Sequence, residues 1–310
     1  MADAALAASD PSVFDFIELS CGVCGSRRAR TLGFRGGEAH RSRLGLKSRI
    51  LRCRDCGHLY PQPMPILRDT NSRYHSVDEY FAQHDPGHKL ERGRNLLRQL
   101  ERAIGRKGRL LDVGCGRGEL LQAARLEGWG ALGVETSQEF ARFAQATYGV
   151  DVVNGSLESA ALPAASFDAI TLGAVVEHLY EPAPMLREIA RLLKAGGVVW
   201  VDAPNEVSLY NVVGNWYFRL QGKGWVCQMS PTFAPYHVQG FTPASLQRLL
   251  RTTGFEVLSC ELYTGRTLLP HRTLRQRLEY GGVVVVNALA RWLRRGSYME
   301  LIARKIDGTD

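Results

Sequence analysis

The chain has 310 residues, a net charge of +8, and contents of 45% hydrophobic and 23% charged residues, which are typical of a globular protein with one large α/β domain and room for a small module. A membrane-spanning class is excluded, because no apolar run approaches the roughly 18 residues that a bilayer helix needs. The N-terminus lacks the basic region and apolar core of a signal peptide, so we expect a cytoplasmic protein.

Two matching cysteine pairs bound a module over residues 16–64, after a leader over residues 1–15 that we expect to be disordered. Each pair is a CxxC unit followed directly by glycine, and the four residues are Cys21, Cys24, Cys53 and Cys56. Thiols stay reduced in a chain without a secretion signal, and two such units supply four sulfur ligands for tetrahedral zinc. The pattern predicts a small zinc ribbon with a closed, structural Zn²⁺ site.

From residue 109 onward, short apolar runs alternate with amphipathic stretches, which is typical of βαβ units and a parallel sheet. Strands are predicted at Arg109–Val113, Ala131–Glu135, Val152–Val153, Ala169–Gly173, Gly197–Ala203, Phe255–Tyr263 and Ser297–Lys305. Helices are predicted at Glu119–Gly128, Gln138–Thr147 and Ala183–Lys194, and residues 65–105 are polar and helical in pattern. Residues 65–310 are therefore expected to form an α/β domain with a Rossmann-like, seven-stranded, mostly parallel sheet and helices on both faces.

Two segments depart from this alternation, and each has two interpretations. Residues 205–240 form an aromatic, glycine-punctuated insertion after the fifth strand, which is either a cap over the ligand-binding edge of the sheet or a surface subdomain with its own core. Residues 280–293 combine an apolar run with nearby arginines. They are either a helix on a membrane surface, which would be a peripheral contact, or a helix packed against the sheet.

The segment after the first predicted strand of this domain carries Gly114, Gly116 and Gly118. Glycines at this point allow a tight turn and a close approach to a ligand, but NAD enzymes have them too. The third glycine of the dinucleotide pattern is replaced by Glu119, and Asp112 closes the strand. A carboxylate here repels a pyrophosphate and suits a cationic ligand.

Glu135 closes the next predicted strand, 23 residues after Asp112. A carboxylate at that position can accept hydrogen bonds from both ribose hydroxyls, as in dinucleotide folds. The two acidic strand ends and the glycine turn between them predict a cationic, nucleoside-containing ligand.

These motifs, in this order and spacing, resemble the class I S-adenosylmethionine-dependent methyltransferases. The resemblance covers roughly residues 85–260 and rests on Leu110–Gly118, Gly133–Glu135, Ser166–Ile170, Val175–His178 and Leu192–Asn205. It is strongest for the small-molecule branch, which includes ubiquinone-type and sugar O-methyltransferases. The resemblance implies S-adenosylmethionine as the cofactor and methyl donor.

The same resemblance implies contacts for individual residues. The methionine part of the cofactor would lie against Asp112, Gly114, Cys115 and Gly116. Glu135 would hold the ribose, and the adenine would lie beside Thr136 and the loop of Ser156 and Leu157, where many relatives have Asp in place of Ser156. Ala174 would line the methyl-donor channel, and Tyr80 and Arg92 would touch the cofactor from the preceding helix.

Two histidines are candidates for a general base, which helps when a hydroxyl is methylated. His237 lies in a segment whose His-x-x-x-Phe-Thr pattern faces the active site in relatives, although it also fits a histidine at the entry of a helix. His178 follows Glu177 at the end of the fourth strand, where a structural role is an equal alternative. A third reading uses no protein base. Cys115, Cys227 and Cys260 are expected to be small buried hydrophobes.

Three functions remain open at this point. The first is O-methylation of a small molecule, such as a sugar, a glycolipid or a secondary metabolite. The alternative is an RNA or protein methyltransferase, because Arg27–Arg54 carries ten Lys and Arg against a single acid and would grip a polyanion such as nucleic acid. The third is a non-catalytic binding module, disfavoured by the intact glycines and acids. The ribbon either stabilises only itself, or docks on the catalytic domain and shapes the acceptor site.

Overall fold

Five short strands precede the main sheet in the computed structural model, which describes residues 10–68, 86–265 and 273–306. They are β1 (Phe14–Ile17), β2 (Ala29–Arg35), β3 (Ser48–Cys53), β4 (Leu59–Pro61) and β5 (Met64–Leu67). Strands β2, β3 and β4 form an antiparallel sheet that carries the four cysteines near its ends, and β1 pairs with β5 in a separate antiparallel sheet.

The expected leader and module boundaries need correction. Residues 10–15 are ordered, because Asp10 caps a 3₁₀ turn at Pro11–Val13 and Phe14 is buried at the start of β1. The expected boundary at residue 64 falls on the first residue of β5, whose pairing with β1 extends the N-terminal part of the fold to residue 67. Residues 1–9 lie outside the described part of the chain.

The main sheet has seven strands in the order β11-β12-β10-β9-β6-β7-β8. They are β6 (Arg109–Val113), β7 (Gly130–Glu135), β8 (Val152–Asn154), β9 (Phe167–Gly173), β10 (Leu193–Pro204), β11 (Phe255–Tyr263) and β12 (Tyr298–Lys305). Six of these strands run in the same direction, and β12 runs opposite to them. The predicted Rossmann-like α/β fold is confirmed.

Seven α-helices lie in the described residues. They are α1 (Pro86–Ile104), α2 (Glu119–Leu126), α3 (Gln138–Tyr148), α4 (Pro182–Leu192), α5 (Leu209–Leu220), α6 (Pro243–Thr252) and α7 (Leu274–Trp292). Local chemistry sets several ends: the Ser137 hydroxyl caps α3, which stops at the left-handed Gly149, and a Thr242–Ser245 capping box starts α6. None of these helices is long and apolar enough to cross a membrane.

The predicted end of α4 is two residues too late. The helix ends at Leu192, and the extended Leu193 already begins β10. The lysine and glycines at 194–197, which indicated a helix stop, instead lie in a bulge where the pairing of β10 with β9 shifts register between Leu193 and Val198. Glycine at a positive φ suits a bulge as well as a helix end, so the sequence alone did not separate the two.

The N-terminal strands pack directly on the main domain. Cys21, Cys53 and Tyr60 belong to the same buried cluster as Leu186 of α4 and Leu246 of α6. Backbone bonds join the two parts as well, through bridges between Phe34 and Trp225 and between Leu59 and Gly240. The cysteine module therefore shares its core with the domain that follows.

Candidate active site

The carboxyl ends of β6 and β7 meet at a turn that only glycine accommodates. Gly114 and Gly118 have φ values of 71° and 81°. A Cβ atom on Gly114 would lie 2.8 Å from Cγ2 of Val175, and one on Gly118 would lie 2.8 Å from Cβ of Ala144. The turn is thus constrained both by its backbone angles and by close packing, and the N–H groups of Gly114 and Cys115 also fix it by donating to the Val134 carbonyl oxygen.

The Glu135 carboxylate braces this turn from the end of β7. Its Oε2 atom accepts a hydrogen bond of 2.8 Å from the Gly116 N–H, and its Oε1 atom accepts one of 2.8 Å from the Ser137 N–H. Asn154, which the sequence analysis did not single out, donates from Nδ2 to the carbonyl oxygens of Glu135 and Thr136. Glu135 is therefore fixed at the edge, with lone pairs left for a ligand hydroxyl.

Asp112 is buried at the end of β6, where its Oδ1 atom accepts a 2.7 Å hydrogen bond from the Thr171 hydroxyl. Burial, with smaller contributions from the nearby Glu135 and Glu119, raises the pKa of Asp112 to about 7. Three buried carboxyl groups thus converge here, and two cations approach them, with Lys89 and Arg117 lying 3.9 Å and 4.0 Å from Oε1 of Glu119. A cationic ligand would relieve this excess of negative charge, so the site fits the ammonium and sulfonium of S-adenosylmethionine.

The residues expected around the adenine lie on two neighbouring loops. Thr136 is exposed directly after β7, with its hydroxyl 3.4 Å from Oε1 of Glu135. The Ser156 hydroxyl accepts a hydrogen bond from the Ser159 N–H, and the Leu157 side chain is buried in the core. Leu157 is 2% exposed as a whole residue, so Thr136 and the half-buried Ser156 provide most of the surface open to a ligand here. Ala174, at the end of β9, has a φ of 54°, an uncommon left-handed conformation for a residue with a side chain.

Arg92, Tyr80 and the three cysteines outside the four-cysteine cluster are not all found as the sequence predicts. Arg92 donates to Oδ2 of Asp202 at 2.8 Å and to the Tyr263 hydroxyl at 2.7 Å, so its guanidinium is engaged with the end of β10. Tyr80 lies outside the described residues. Cys115 is buried, and burial raises the pKa of its thiol well above the usual range. Cys227 and Cys260 are only half-buried, so the expectation of buried hydrophobes fails for these two.

The two candidate bases, His178 and His237, lie together at the sheet edge. Their ring centroids are 4.9 Å apart, and Nε2 of His237 lies 3.9 Å from Oε1 of Glu177. Glu177 is 1% exposed, and neither of its carboxyl oxygens has a hydrogen-bond partner in the described part of the chain. The side chain of Glu177 is therefore a functional candidate alongside the two histidines. In the sequence, Glu177 had been noted only as the residue before His178.

Burial is the largest cause of the shifted pKa values of Glu177 and His237. It raises the pKa of Glu177 to about 8 and, together with the nearby His178, lowers the pKa of His237 to about 3. A neutral carboxyl group and a neutral imidazole are therefore the favoured forms near pH 7. Glu177, His178 and His237 each offer one ligand atom within 4.8 Å of the others, a set that could also hold a metal ion.

The segment that carries His237 is fixed by hydrogen bonds from both sides. The N–H groups of Val238 and Gln239 both donate to the Glu177 carbonyl oxygen at 2.9 Å. The Gln239 side chain donates to the Tyr180 carbonyl oxygen at 3.0 Å and accepts from Nε2 of His58 at 2.7 Å. His58 follows the second cysteine pair and is fully buried, and burial lowers its pKa to about 4. The cysteine module thus reaches the segment beside the candidate base.

The four cysteines converge on one point. The Sγ atoms of Cys21 and Cys56 lie 3.5 Å apart, those of Cys24 and Cys53 lie 3.6 Å apart, and all four fall within 4.8 Å of one another. Four thiolates around Zn²⁺ at about 2.3 Å would be roughly 3.8 Å apart, so the arrangement fits the metal. Positive φ values at Gly25 (69°) and Gly57 (77°) allow each knuckle to close.

The aromatic insertion packs on the cysteine module. Its Trp225 bridges to Phe34 of β2, the Arg35 Nε atom donates to the Met229 carbonyl oxygen, and the Thr232 hydroxyl bonds with the backbone of Leu46. These contacts make residues 205–240 a subdomain whose core is shared with the module. This subdomain begins at the carboxyl end of β10, and its last residues place His237 at the sheet edge.

Known proteins share this sequence pattern. Residues 82–260 match the sequence model of the family described as "Methyltransferase domain". A Mycolicibacterium smegmatis protein named "Probable S-adenosylmethionine-dependent methyltransferase" is 29% identical over 161 residues, which are 52% of this chain and 56% of that protein. The chain therefore spans little more than half the length of that relative.

Two further proteins are similar to this chain. The ubiquinone biosynthesis O-methyltransferase of Ralstonia nicotianae is 29% identical over 176 residues, covering 53% of this chain and 72% of that protein. The crystal structure of an S-adenosylmethionine-dependent methyltransferase from Archaeoglobus fulgidus is 22% identical, with a TM-score of 0.48, and covers 70% of this chain and 94% of the other.

Proposed function

This chain belongs to the family of methyltransferase domains and carries an S-adenosylmethionine-dependent methyltransferase domain, and we propose that it methylates a hydroxyl group of a small-molecule acceptor, such as a sugar, a glycolipid or a secondary metabolite. The single observation that carries the proposal is the adjacency of two groups of residues at one sheet edge. The first is the acidic glycine turn from Asp112 to Glu135, and the second is the cluster of the buried Glu177 with the half-buried His178 and His237. The two adjoin because Gly114 packs against Val175, two residues before Glu177. The name of the Ralstonia nicotianae relative, an O-methyltransferase, is in keeping with a hydroxyl acceptor.

Asp112 and the turn of Gly114, Cys115 and Gly116 would lie against the methionine part of the cofactor. Glu135 would hold the ribose hydroxyls, while Thr136, Ser156 and Leu157 would border the adenine. Ala174 would line the channel between the cofactor and the acceptor. When bound, S-adenosylmethionine supplies a methyl group on a positively charged sulfur, and the protein contributes alignment and a dry, polar surrounding.

His237 is the residue we assign to accept the proton of the acceptor hydroxyl. Its imidazole is neutral because of its low pKa, so it has a lone pair available. A protonated His237 would be stabilised by an ionised Glu177 at 3.9 Å, so the protonation of the two groups is coupled. His178 is the second candidate, because the contact of its Nδ1 atom with the Tyr236 carbonyl oxygen, at 3.3 Å, favours the tautomer that carries the proton on Nδ1 and the lone pair on Nε2.

We assign Zn²⁺ to Cys21, Cys24, Cys53 and Cys56 as a structural ion. The closed set of four sulfurs leaves no position for a substrate. Its role in the reaction would be indirect, because the knuckle that ends at Gly57 places His58 against Gln239. The ribbon would thereby hold the His237 segment in place and border the acceptor site.

A second candidate function, methylation of RNA, is favoured by one observation. An open cleft of about 740 Å³ between the second knuckle and α6 is lined by four guanidinium groups, those of Arg30, Arg52, Arg54 and Arg248. Its one lining acid, Asp55, is already paired with Arg28 at 3.0 Å. Phosphate groups bind such clusters, with an affinity that falls steeply as salt rises.

A labelling experiment tests the proposal against this alternative. The purified protein is incubated with methyl-labelled S-adenosylmethionine and, in parallel, with a panel of hydroxylated phenols and sugars or with total RNA. Label in an acid-stable, base-stable ether of a small molecule supports the proposal. Label in RNA alone, at a rate that falls with added salt, supports the alternative.

A further inference from the structure

Helices α5 and α7 carry most of the large apolar side chains that are exposed in the described residues. Of the 17 large apolar side chains that are exposed in the described residues, 11 belong to α5, to α7 or to Leu293, which caps α7. These eleven are Tyr210, Val212, Val213, Trp216, Tyr217, Leu220, Val284, Val285, Leu289, Trp292 and Leu293. Trp292, Leu220 and Trp216 are 78%, 73% and 62% exposed. Single exposed hydrophobic residues need no explanation, but a concentration of this kind marks an interaction surface.

The two helices adjoin each other and turn few residues inward. They pack together, and the Leu209 N–H at the start of α5 donates to the Arg295 carbonyl oxygen just after α7. Among their described side chains, α5 buries Asn215 and Phe218, and α7 buries Asn287 and Ala290. A Cβ atom at Gly281 or Gly282 would meet no atom within 4 Å. We call the outward surface of the two helices the α5–α7 face.

The charge of the segments that form this face is mostly positive. Residues 207–225 and 273–299 contain one acid, Glu279, and seven cations, the cations being Arg219, Lys223, Arg275, Arg277, Arg291, Arg294 and Arg295. Aromatic rings and cations also meet at its border, where the Arg41 guanidinium lies 5.5 Å from the ring of Tyr217 and the Lys223 ammonium lies 4.4 Å from the ring of Trp225. The face thus combines aliphatic side chains, tryptophan and tyrosine rings, and a net positive charge.

We propose that the α5–α7 face docks the protein on the surface of an anionic phospholipid membrane. Tryptophan and tyrosine favour the boundary between headgroups and acyl chains, and basic side chains beside them bind anionic headgroups. The contact is peripheral, since no described helix can cross a bilayer.

A second copy of the chain fits this face less well. Pairing the face with itself would bring the seven cations of one copy against the seven of the other, with a single acid in each copy to offset them. An anionic bilayer offers both the apolar layer and the opposite charge. Because α5 follows directly from the carboxyl end of β10, docking would bring the sheet edge that carries the candidate active site close to the lipid.

Vesicle co-sedimentation of the full chain tests the proposal. Vesicles of phosphatidylcholine with about 30% phosphatidylglycerol should bind the protein, and vesicles of phosphatidylcholine alone should bind it much more weakly. The triple variant Trp216→Ser, Leu220→Ser, Trp292→Ser should lower the partition coefficient roughly tenfold or more. The matched control, Leu126→Ser with Leu258→Ser, removes two exposed leucines elsewhere and should leave binding unchanged.

A charge variant separates the two components of the contact. Arg291→Gln, Arg294→Gln and Arg295→Gln together should weaken binding to the anionic vesicles by about fivefold for each arginine. Raising the salt concentration should also weaken this binding. Binding of S-adenosylhomocysteine by each variant reports that the fold is intact. Equal binding to neutral and anionic vesicles, or unchanged binding by the triple variant, would overturn the proposal. So would a wild-type dimer that the triple variant dissociates without any vesicle binding.

Discussion

The Nε2 atom of His58 donates a 2.7 Å hydrogen bond to the Oε1 atom of Gln239, and both side chains are buried. His58 directly follows the second cysteine knuckle, and Gln239 lies two residues after His237. The bond therefore connects the predicted zinc site to the segment of the candidate base. It gives a physical route by which the ribbon can affect methyl transfer without contributing a group to the reaction.

Replacing His58 tests this connection. In His58→Ala the Gln239 amide loses its buried partner, at a cost of about 1–3 kcal/mol in unfolding free energy, and the His237 segment loosens. We expect turnover to fall roughly tenfold while the dissociation constant of S-adenosylhomocysteine changes by less than about twofold. Arg54→Gln, an exposed change in the same module, is the control. Equal turnover by wild type and His58→Ala would show that the bond has no role in the reaction.

Metal removal tests the assignment of zinc. We expect about one Zn²⁺ per chain by elemental analysis, because a single set of four thiolates converges. Cys24→Ser should lose the metal and lower the Tm by on the order of 10 °C, because metal binding contributes directly to folding. Cys260→Ser, which alters a half-buried cysteine outside the cluster, should do neither. If cofactor binding and turnover both survive in zinc-free protein, the ribbon does not shape the acceptor site.

Asp112 couples cofactor binding to stability. Its pKa is raised on folding, from 3.8 to about 7, so its contribution to stability is fully present below about pH 3.8 and is lost as the pH rises to about 7. Asp112→Asn should therefore raise the Tm by about 2–6 °C at pH 8 and change it little at pH 4. The same change should weaken S-adenosylmethionine binding at least about tenfold. Asp151→Asn, at an exposed position, should leave both unchanged. An unaltered cofactor affinity in Asp112→Asn would remove Asp112 from the binding site.

The glycine turn permits a comparison of sterics with backbone strain. Gly114 and Gly105 have similar φ values, 71° and 79°, but a Cβ at Gly114 meets Val175 while one at Gly105 meets nothing within 4 Å. We expect Gly105→Ala to lower the free energy of unfolding by about 1 kcal/mol and to leave cofactor binding intact. Gly114→Ala should lower it by at least about 2 kcal/mol and abolish measurable binding. Partial recovery in Gly114→Ala with Val175→Ala would identify the clash as the cause, and equal behaviour of the two single variants would contradict it.

Much of the fold could be predicted because its signals are local. Alternation of apolar runs located every strand of the main sheet, and β11 at Phe255–Tyr263 matches its predicted bounds. Asp112 and Glu135 could be placed side by side because neighbouring parallel strands end at the same edge. Each of these inferences depends on a few consecutive residues or on one rule of sheet topology.

The remaining features depend on pairs that are distant in sequence. Phe34 bridges to Trp225, and Leu59 bridges to Gly240, but no local sequence pattern predicts either contact. The meeting of Glu177 with His237, 60 residues apart, follows from the same long-range packing. Strand β1 was missed because its four residues, Phe14–Ile17, are too few for apolar alternation to indicate a strand.

The pH dependence of methyl transfer tests the central claim most directly, namely that His237 with Glu177 serves a hydroxyl acceptor. Because the pKa of His237 is lowered to about 3 and that of Glu177 is raised to about 8, kcat/KM should show no inflection near the usual histidine value of 6.5. One inflection near pH 8 should appear and be absent from Glu177→Gln, and His237→Asn should lose roughly a hundredfold in turnover with cofactor binding unchanged. Near wild-type turnover by His237→Asn at every pH would contradict the account, and a loss seen only in His178→Asn would transfer the role to His178.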